Sequence, residues 1–205
     1  DEDNIFTYTL SANDIDGDDL EYSASVDGNA NALVTDNLLT ITPTLNYNGS
    51  IAVTVNVSDG DETDSDTFTL IVNPVNDAPV LSNIEDQSID EDNIFTYTLS
   101  ANDIDGDYLE YSASVDGNAT VDVTDNLLTI TPTSDYNGNI QVTVNVSDGE
   151  YTDSDTFTLT VNPVNDAPIL FNIEDQSIDE DTSLTYSLVA SDIDGDQLYF
   201  NASID

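Results

Sequence analysis

The chain has 205 residues, of which 43 are Asp or Glu, and it contains no Lys, Arg, His or Cys. Without cationic side chains it lacks the means to bind nucleic acid or an anionic membrane surface, and no apolar run is long enough for membrane insertion. Disulfides and the usual zinc sites are excluded as well. The remaining donors are carboxylates, Asn side chains and backbone carbonyls, which are the ligands of a hard cation such as Ca²⁺.

The sequence repeats with a period of 89 residues. Residues 1–10 recur unchanged at 90–99, a third version begins at Asp179, and residues 1–89 and 90–178 are identical at 76 positions. A period of this length predicts whole domains rather than solenoid units. The predicted domains are a first repeat lacking its beginning (1–75), a complete repeat (76–164) and a third repeat lacking its end (165–205). The first and last residues look like cuts in a longer chain.

The elements predicted along the complete repeat are short strands. Apolar and polar residues alternate over residues 95–99, 109–115, 128–130, 140–146 and 157–161. This period of two, with many Val, Thr and Tyr residues between Asp-Gly and Asn-Gly turns, is typical of half-buried antiparallel strands. With the pieces at 88–89 and 168–173, each repeat has about seven strands. The fold class is therefore all-β, with tandem immunoglobulin-like Greek-key sandwiches, and Tyr and Phe are expected in the core.

The predicted boundary between repeats is a short linker at residues 73–79, repeated at 162–168. Each copy contains two prolines within six residues, which stop strand pairing and keep the chain extended. A linker this short predicts domains joined end to end.

Acidic residues recur at fixed positions in each repeat. The run Asp103-Ile104-Asp105-Gly106-Asp107 follows the first long strand, and Asn76-Asp77 lies in the linker. Each motif by itself is consistent with an ordinary solvated turn. An EF-hand is excluded by the position of Gly106 and by Ser114 at the twelfth place, where Glu is required. Because several acids would converge where domains meet, we expect a divalent cation there.

Taken in order, these motifs resemble cadherin repeats, and more closely the tandem cadherin-like repeats of large, calcium-dependent bacterial surface adhesins. The resemblance rests on Glu-Asp before a strand, Ala-x-Asp-x-Asp-Gly before Leu-x-Tyr-Ser, Val-x-Val-Ser-Asp-Gly, and the linker Val-Asn-Asp-Ala-Pro. It implies Ca²⁺ ligands at the first junction from Glu2, Asn76, Asp77, Asp103, Asp105 and Asp148, and at the second from Glu91, Asn165, Asp166, Asp192 and Asp194. The acidic-Arg-Glu motif that cadherins carry is replaced by Thr-Ser-Asp-Tyr-Asn-Gly at residues 133–138. We therefore expect one or two ions per junction, and three at most.

The resemblance implies an extracellular, secreted or cell-surface array that acts as the calcium-stiffened stalk or adhesive region of an adhesin. Its expected partners are calcium ions, neighbouring repeats and a surface receptor. The alternative is a structural filament or sheath in which chains contact one another laterally. An enzyme is not expected, because the paired carboxylates recur in every repeat and no Ser/His or Cys/His pair exists.

Overall fold

The computed structural model describes residues 1–203, and those residues contain strands but no helix. They include no helix that is long and apolar enough to cross a membrane. The chain forms two compact units. The first consists of Asp1–Asp77 with Ile104–Gly106, and the second of the remaining described residues. The predicted repeat boundaries after residues 75 and 164 stay predictions, because the second unit holds both the complete repeat and the third, partial one.

The first unit is a sandwich of two three-stranded sheets. Its strands are β1 (Phe6–Thr9), β2 (Glu21–Val26), β3 (Ala30–Thr35), β4 (Leu38–Pro43), β5 (Gly49–Ser58) and β6 (Thr63–Val72). One sheet has the order β1-β4-β3 and the other β2-β5-β6. All of these pairs are antiparallel.

The second unit contains the same two sheets with additional strands. Its strands are β7 (Val80–Leu81), β8 (Gln87–Asp90), β9 (Phe95–Thr98), β10 (Ala101–Asn102), β11 (Glu110–Val115), β12 (Ala119–Thr124), β13 (Leu127–Pro132), β14 (Gly138–Ser147), β15 (Thr152–Asn162), β16 (Ile169–Leu170) and β17 (Ala190–Ser191). The sheets have the orders β12-β13-β9 and β11-β14-β15-β8, and the short pairs β10-β7 and β16-β17 are separate. β8 pairs with β15 in parallel, whereas the other pairs are antiparallel.

Alternation along the strands produces the core. On β14 the side chains of Ile140, Val142, Val144 and Val146 are fully buried, whereas Gln141 between them is exposed. These residues and Phe157 of β15 pack against Leu128 and Ile130 of the opposite sheet. The all-β sandwich is thus confirmed, with seven strand positions in the complete repeat when β7 and β8, and β9 and β10, are each counted as one interrupted strand.

One strand of the sandwich was not predicted. β12 pairs with β13 along its whole length, and β3 pairs with β4 in the same way. Each hairpin turns at an Asp in the left-handed region, Asp125 and Asp36, both with φ of 55°. Asp tolerates this conformation better than most residues, so the two-residue turn brings the strands into register.

The expectation that aromatic residues lie in the core is correct only in part. Phe157 is 1% exposed, but Tyr108 is 83% exposed. Tyr108 follows the Asp103–Asp107 run and precedes β11, so the loop rather than the strand pattern sets its orientation. Its counterpart in the first repeat is Asp19, which agrees with a solvent-facing position.

Candidate metal centre

A buried glutamate fixes the linker in the second unit. Glu91 lies in the turn after β8 and is only 4% exposed. Its backbone N–H donates to the carbonyl oxygen of Asn162 at 2.9 Å, and its Oε1 accepts from the backbone N–H of Val164. Glu91 Oε2 accepts from the side-chain amide of Asn137 at 3.4 Å. The buried carboxylate therefore holds the start of the linker against the turn.

Two further acids join Glu91. One carboxylate oxygen from each of Glu91, Asp166 and Asp194 lies within 4.8 Å of the other two. The backbone N–H of Asp166 donates to Asp194 Oδ2 at 2.6 Å, which brings the linker to the loop that contains Asp194. The structure thus brings together three of the five residues assigned to this junction by resemblance.

Asp166 also belongs to a second group, with Asp92 and Asp135, whose carboxylate oxygens meet the same 4.8 Å limit. The backbone N–H of Asp135 donates to Asp92 Oδ1 at 3.0 Å, and both residues are left-handed, with φ of 56° and 61°. The sequence interpretation missed Asp92 and Asp135. Asp92 follows Glu91 directly, and Asp135 lies in the segment that departs from the cadherin motif, so each had a positional signal.

The carboxylates of the cluster repel one another, and this repulsion disfavours the ionised form of Asp166. The pKa of the Asp166 carboxyl is raised above its usual value of 3.8, first by desolvation and then by the charges of Asp135, Asp194, Asp92 and Glu91. A cation bound in the cluster would instead lower the pKa of Asp166.

Asn165 and Asp192 shape the loops beside the cluster, and Asp192 is a member of neither carboxylate group among the described residues. The side-chain amide of Asn165 donates to the backbone oxygen of Asp166 at 2.8 Å. Asp192 Oδ1 accepts from the backbone N–H of Asp196 at 3.1 Å. Their backbone and remaining side-chain oxygens are the donors that they could offer a cation.

The first unit contains a glutamate equivalent to Glu91. Glu2 is 3% exposed, and its Oε1 accepts from the backbone N–H of Val75. Its Oε2 is buried and has no hydrogen-bond partner. In the same unit, which also contains Asn76, the backbone N–H of Asp77 donates to Asp105 Oδ2 at 2.8 Å.

Asp103 and Asp148, the other two residues assigned to the first junction, belong to the second unit. Asp103 Oδ1 accepts from the backbone N–H of Asp107 at 3.2 Å. Asp148 Oδ1 accepts from the N–H groups of Glu150 and Tyr151 at 2.7 and 2.6 Å, so it closes the turn between β14 and β15. At the same turn of the first repeat, the N–H groups of Glu62 and Asp61 hold the pKa of Asp59 below its usual value.

The donor chemistry fits Ca²⁺. Every side-chain ligand in the two groups of the second unit is a carboxylate oxygen, and the chain has no Lys, Arg or His to neutralise them. The buried, unpartnered Oε2 of Glu2 is an independent observation, since a buried carboxylate oxygen without a donor is costly unless a cation or water contacts it.

Comparison with known proteins gives the same fold. A segment of chitinase A from Pseudoalteromonas piscicida is 33% identical over 161 residues, which is 77% of this chain and 20% of the chitinase. The chain thus spans one fifth of that relative. The crystal structure of human protocadherin-24 EC1-2 matches with a TM-score of 0.50 and 20% identity, covering 76% of this chain and 87% of that one, and this likeness concerns the fold alone.

The family is shown by a sequence model described as "Bacterial Ig domain", which matches residues 1–72 and 76–162. One match lies in each of the first two predicted repeats, and together the two matches cover more than half of the chain. The chain therefore belongs to the bacterial Ig domain family.

Proposed function

We propose that this chain is part of an extracellular repeat array that Ca²⁺ stiffens, and that the array serves as the stalk or adhesive region of a bacterial surface adhesin. The observation that carries the proposal is the carboxylate cluster of Glu91, Asp166 and Asp194, which is built around a 4% exposed glutamate.

Cation binding follows from the charge of this cluster. Backbone N–H groups hold Glu91 and Asp194 in place, so these carboxylates cannot move apart without losing hydrogen bonds. No basic side chain exists to compensate them. A divalent cation converts their repulsion into attraction and accepts 6–8 oxygen ligands. We expect dissociation constants on the order of 10⁻⁴–10⁻³ M, as in other extracellular modules.

Stiffening follows from the position of the ligands. Asp166 lies in the linker, Glu91 belongs to the preceding repeat and Asp194 to the next one. An ion that binds all three restricts the linker more than its two prolines can. Because the same residues recur in each repeat, every junction of a longer array would be restricted in the same way.

The proposal assigns no catalytic role to the array. The similar segment makes up one fifth of chitinase A, so the activity of that enzyme does not follow from this similarity. A repeated, acidic sandwich is better suited to spacing other domains from a surface than to chemistry, and its extracellular location agrees with the millimolar calcium that weak sites require.

Calorimetric titration with Ca²⁺ tests the site. The double variant Asp166→Asn, Asp194→Asn should weaken or abolish binding at the cluster of the second unit. Glu110→Gln is the matched control, since Glu110 lies on an exposed strand position and its change also removes negative charge. If the control lost as much affinity per charge removed, diffuse attraction rather than a site would explain binding.

Thermal unfolding with Ca²⁺ and with EDTA tests the link to stability. A ligand that binds only the folded chain stabilises it by RT ln(1 + [L]/Kd) per site, so the midpoint of unfolding rises with the ligand concentration. Mg²⁺ at the same ionic strength is the control for general screening of the negative charges. It screens them as Ca²⁺ does, but it requires a smaller, octahedral site. Identical midpoints in all three solutions would overturn the proposal.

A further inference from the structure

Two Asn-Gly pairs lie at the same place in successive repeats. Among all the asparagines of the sequence, only Asn48 and Asn137 are followed by glycine, and they are 89 residues apart. Each precedes a long strand that begins at that glycine, β5 in the first unit and β14 in the second. An asparagine side chain reacts most readily with its own backbone before glycine, because glycine has no Cβ to hinder the approach.

This reaction consumes only water. The backbone nitrogen of Gly138 forms a bond to Cγ of Asn137, and the bond from Cγ to the amide nitrogen breaks. The proton of the Gly138 nitrogen ends on the departing group, which leaves as ammonia, and a cyclic succinimide remains. Water then opens the ring at one of its two carbonyl carbons. The product is either aspartate or isoaspartate, in which the main chain runs through the side chain.

Asn137 is placed where this reaction can proceed. It is exposed to water, and it lies between the turn at residues 134–135 and β14, outside any strand. Its side-chain amide makes one hydrogen bond among the described residues, to Glu91 Oε2 at 3.4 Å, which is long for an N–H···O bond. Neither strand pairing nor a strong hydrogen bond therefore holds the Asn137 amide in place.

The fold requires the glycine that makes this asparagine reactive. Gly138 has φ of +138°, and a Cβ built on it would lie 2.9 Å from the Tyr136 hydroxyl. Gly49 has φ of +137° and the same 2.9 Å approach from the Tyr47 hydroxyl. A residue with a side chain would slow the reaction, but it would also clash at this position. The reactive neighbour of Asn137 is therefore fixed by the structure.

The product changes the surroundings of the buried glutamate. Asn137 supplies a hydrogen-bond donor to Glu91 Oε2, and an aspartate in its place would offer an acceptor and a negative charge there. Glu91 is only 4% exposed, so water screens its charge poorly. Five carboxylates already lie close together in the two groups described above. Deamidation would thus add a sixth carboxylate where a neutral donor stood.

We propose that Asn137 is a site of spontaneous deamidation and that the resulting carboxylate joins the cluster around Glu91. Without a cation, the added charge repels Glu91 and destabilises the second unit. The effect on calcium rests on the function proposed above: the new carboxylate is an additional oxygen ligand, and calcium sites gain affinity with the number of charged ligands. The second unit then becomes more dependent on calcium as the protein ages.

Peptide mapping of the aged protein tests the modification. The folded chain is incubated at mildly alkaline pH and digested with chymotrypsin, since trypsin has no cleavage site in it. Mass spectrometry should show conversion of the amide to a carboxylate at Asn137 and Asn48. Asn139, which is followed by Ile140, should stay intact on the same time scale. If a synthetic peptide of residues 133–142 converted while Asn137 of the folded chain did not, the proposal would be overturned.

The variant Asn137→Asp reproduces the aspartate product, and its stability in EDTA tests the contact with Glu91. Its midpoint of urea unfolding should fall below that of the wild type. Asn139→Asp is the matched control, because it adds the same charge two residues further on, at an exposed position of β14. Its midpoint should stay close to that of the wild type. Equal losses for the two variants would mean that only overall charge matters, and the proposal would be wrong.

Calorimetric titration with Ca²⁺ separates this proposal from the proposed function. Asn137→Asp should bind Ca²⁺ on the order of tenfold more tightly than the fresh wild type, and the aged wild type should shift in the same direction. Asn137→Gln keeps an amide and reacts much more slowly, so its affinity should not change with age. If neither wild type nor Asn137→Asp bound Ca²⁺, the proposed function would fail, while mapping and urea unfolding would still support the modification. Equal affinities of the two chains would refute the additional ligand.

Discussion

The charge of Glu91 should destabilise the fold when calcium is absent and stabilise it when calcium is bound as proposed above. Without a cation, its buried charge faces Asp166 and Asp194, and with one it becomes a ligand. Its Oε1 also accepts from Val164, a hydrogen bond that a Gln amide oxygen can still accept. A single isosteric substitution can therefore separate the structural role from the electrostatic one.

We predict that Glu91→Gln raises the stability of the second unit in EDTA, by about 1 kcal/mol, and lowers it in saturating Ca²⁺. The charge that repels other carboxylates is removed in the first case, and a ligand is lost in the second. Urea unfolding in both solutions measures the two changes, with Glu110→Gln as the control of equal charge. If the substitution changed the free energy of unfolding in the same direction in both solutions, Glu91 would not be a calcium ligand.

Gly138 begins β14 under the ring of Tyr136. Its φ is +138°, and a Cβ built on it would lie 2.9 Å from the Tyr136 hydroxyl. That hydroxyl donates to the carbonyl of Asn139 at 3.0 Å, so the ring cannot move away without losing a hydrogen bond. Both backbone strain and a steric clash therefore oppose any larger residue.

We expect Gly138→Ala to destabilise the second unit by roughly 2–4 kcal/mol, of which strain at the positive φ supplies about 1–2. Gly117→Ala isolates the strain, because Gly117 has φ of +143° and nothing within 4 Å of its Cβ position. Denaturant unfolding of both variants measures the difference. Equal losses would mean that the contact with Tyr136 does not matter.

At the level of elements, the sequence predicted the strands whose alternation is strong and missed those whose alternation is weak. β14, with four buried aliphatic residues in alternation, is unambiguous. β12 carries Ala and Asp among its six residues, and its pairing depends on the turn at Asp125. Residues 183–188 have the pattern of β9 but form no strand.

The residues of the candidate site were also predicted only in part. The resemblance to cadherin repeats implied Glu91, Asp166 and Asp194, whereas Asp92 and Asp135 meet Asp166 only because two left-handed turns bring their carboxylates together. Such turns depend on tertiary contacts, which no local pattern encodes. Asp148 is assigned as a ligand by resemblance, its Oδ1 closes the turn between β14 and β15, and its role as a ligand stays a prediction.

The segment 80–89 gives a prediction for one element. Asp155 Oδ2 accepts from the backbone N–H of Ile84, and its Oδ1 accepts from that of Thr156. Asp155→Ala should therefore cost the second unit about 1.5–3 kcal/mol, the value for a hydrogen bond to a charged acceptor. Glu110→Ala, at an exposed position of β11, should be nearly neutral. Urea unfolding with equal losses for the two variants would rule this out.

At the scale of the molecule, the segment 80–89 should contribute much of the stability of the second unit. Its side chains Leu81 and Ile84 are buried in the core of that unit. Burying an aliphatic side chain contributes about 1.5–3 kcal/mol, and truncating one in a core costs about 2–5 kcal/mol. We predict that Ile84→Ala lowers the free energy of unfolding of the second unit by that amount. Urea unfolding measures the loss, and a loss as small as that of Glu110→Gln would contradict the prediction.

The parallel pairing of β8 with β15 has a mechanical consequence. β8 is the second half of the interrupted first strand of the complete repeat and β15 is its last strand, so tension along the chain pulls β8 towards its amino end and β15 towards its carboxyl end. Two parallel strands pulled in this way slide past each other, and the hydrogen bonds between Gln87–Asp90 and Leu159–Asn162 must break together rather than one at a time. The surface stalk proposed above would need this kind of resistance under shear flow.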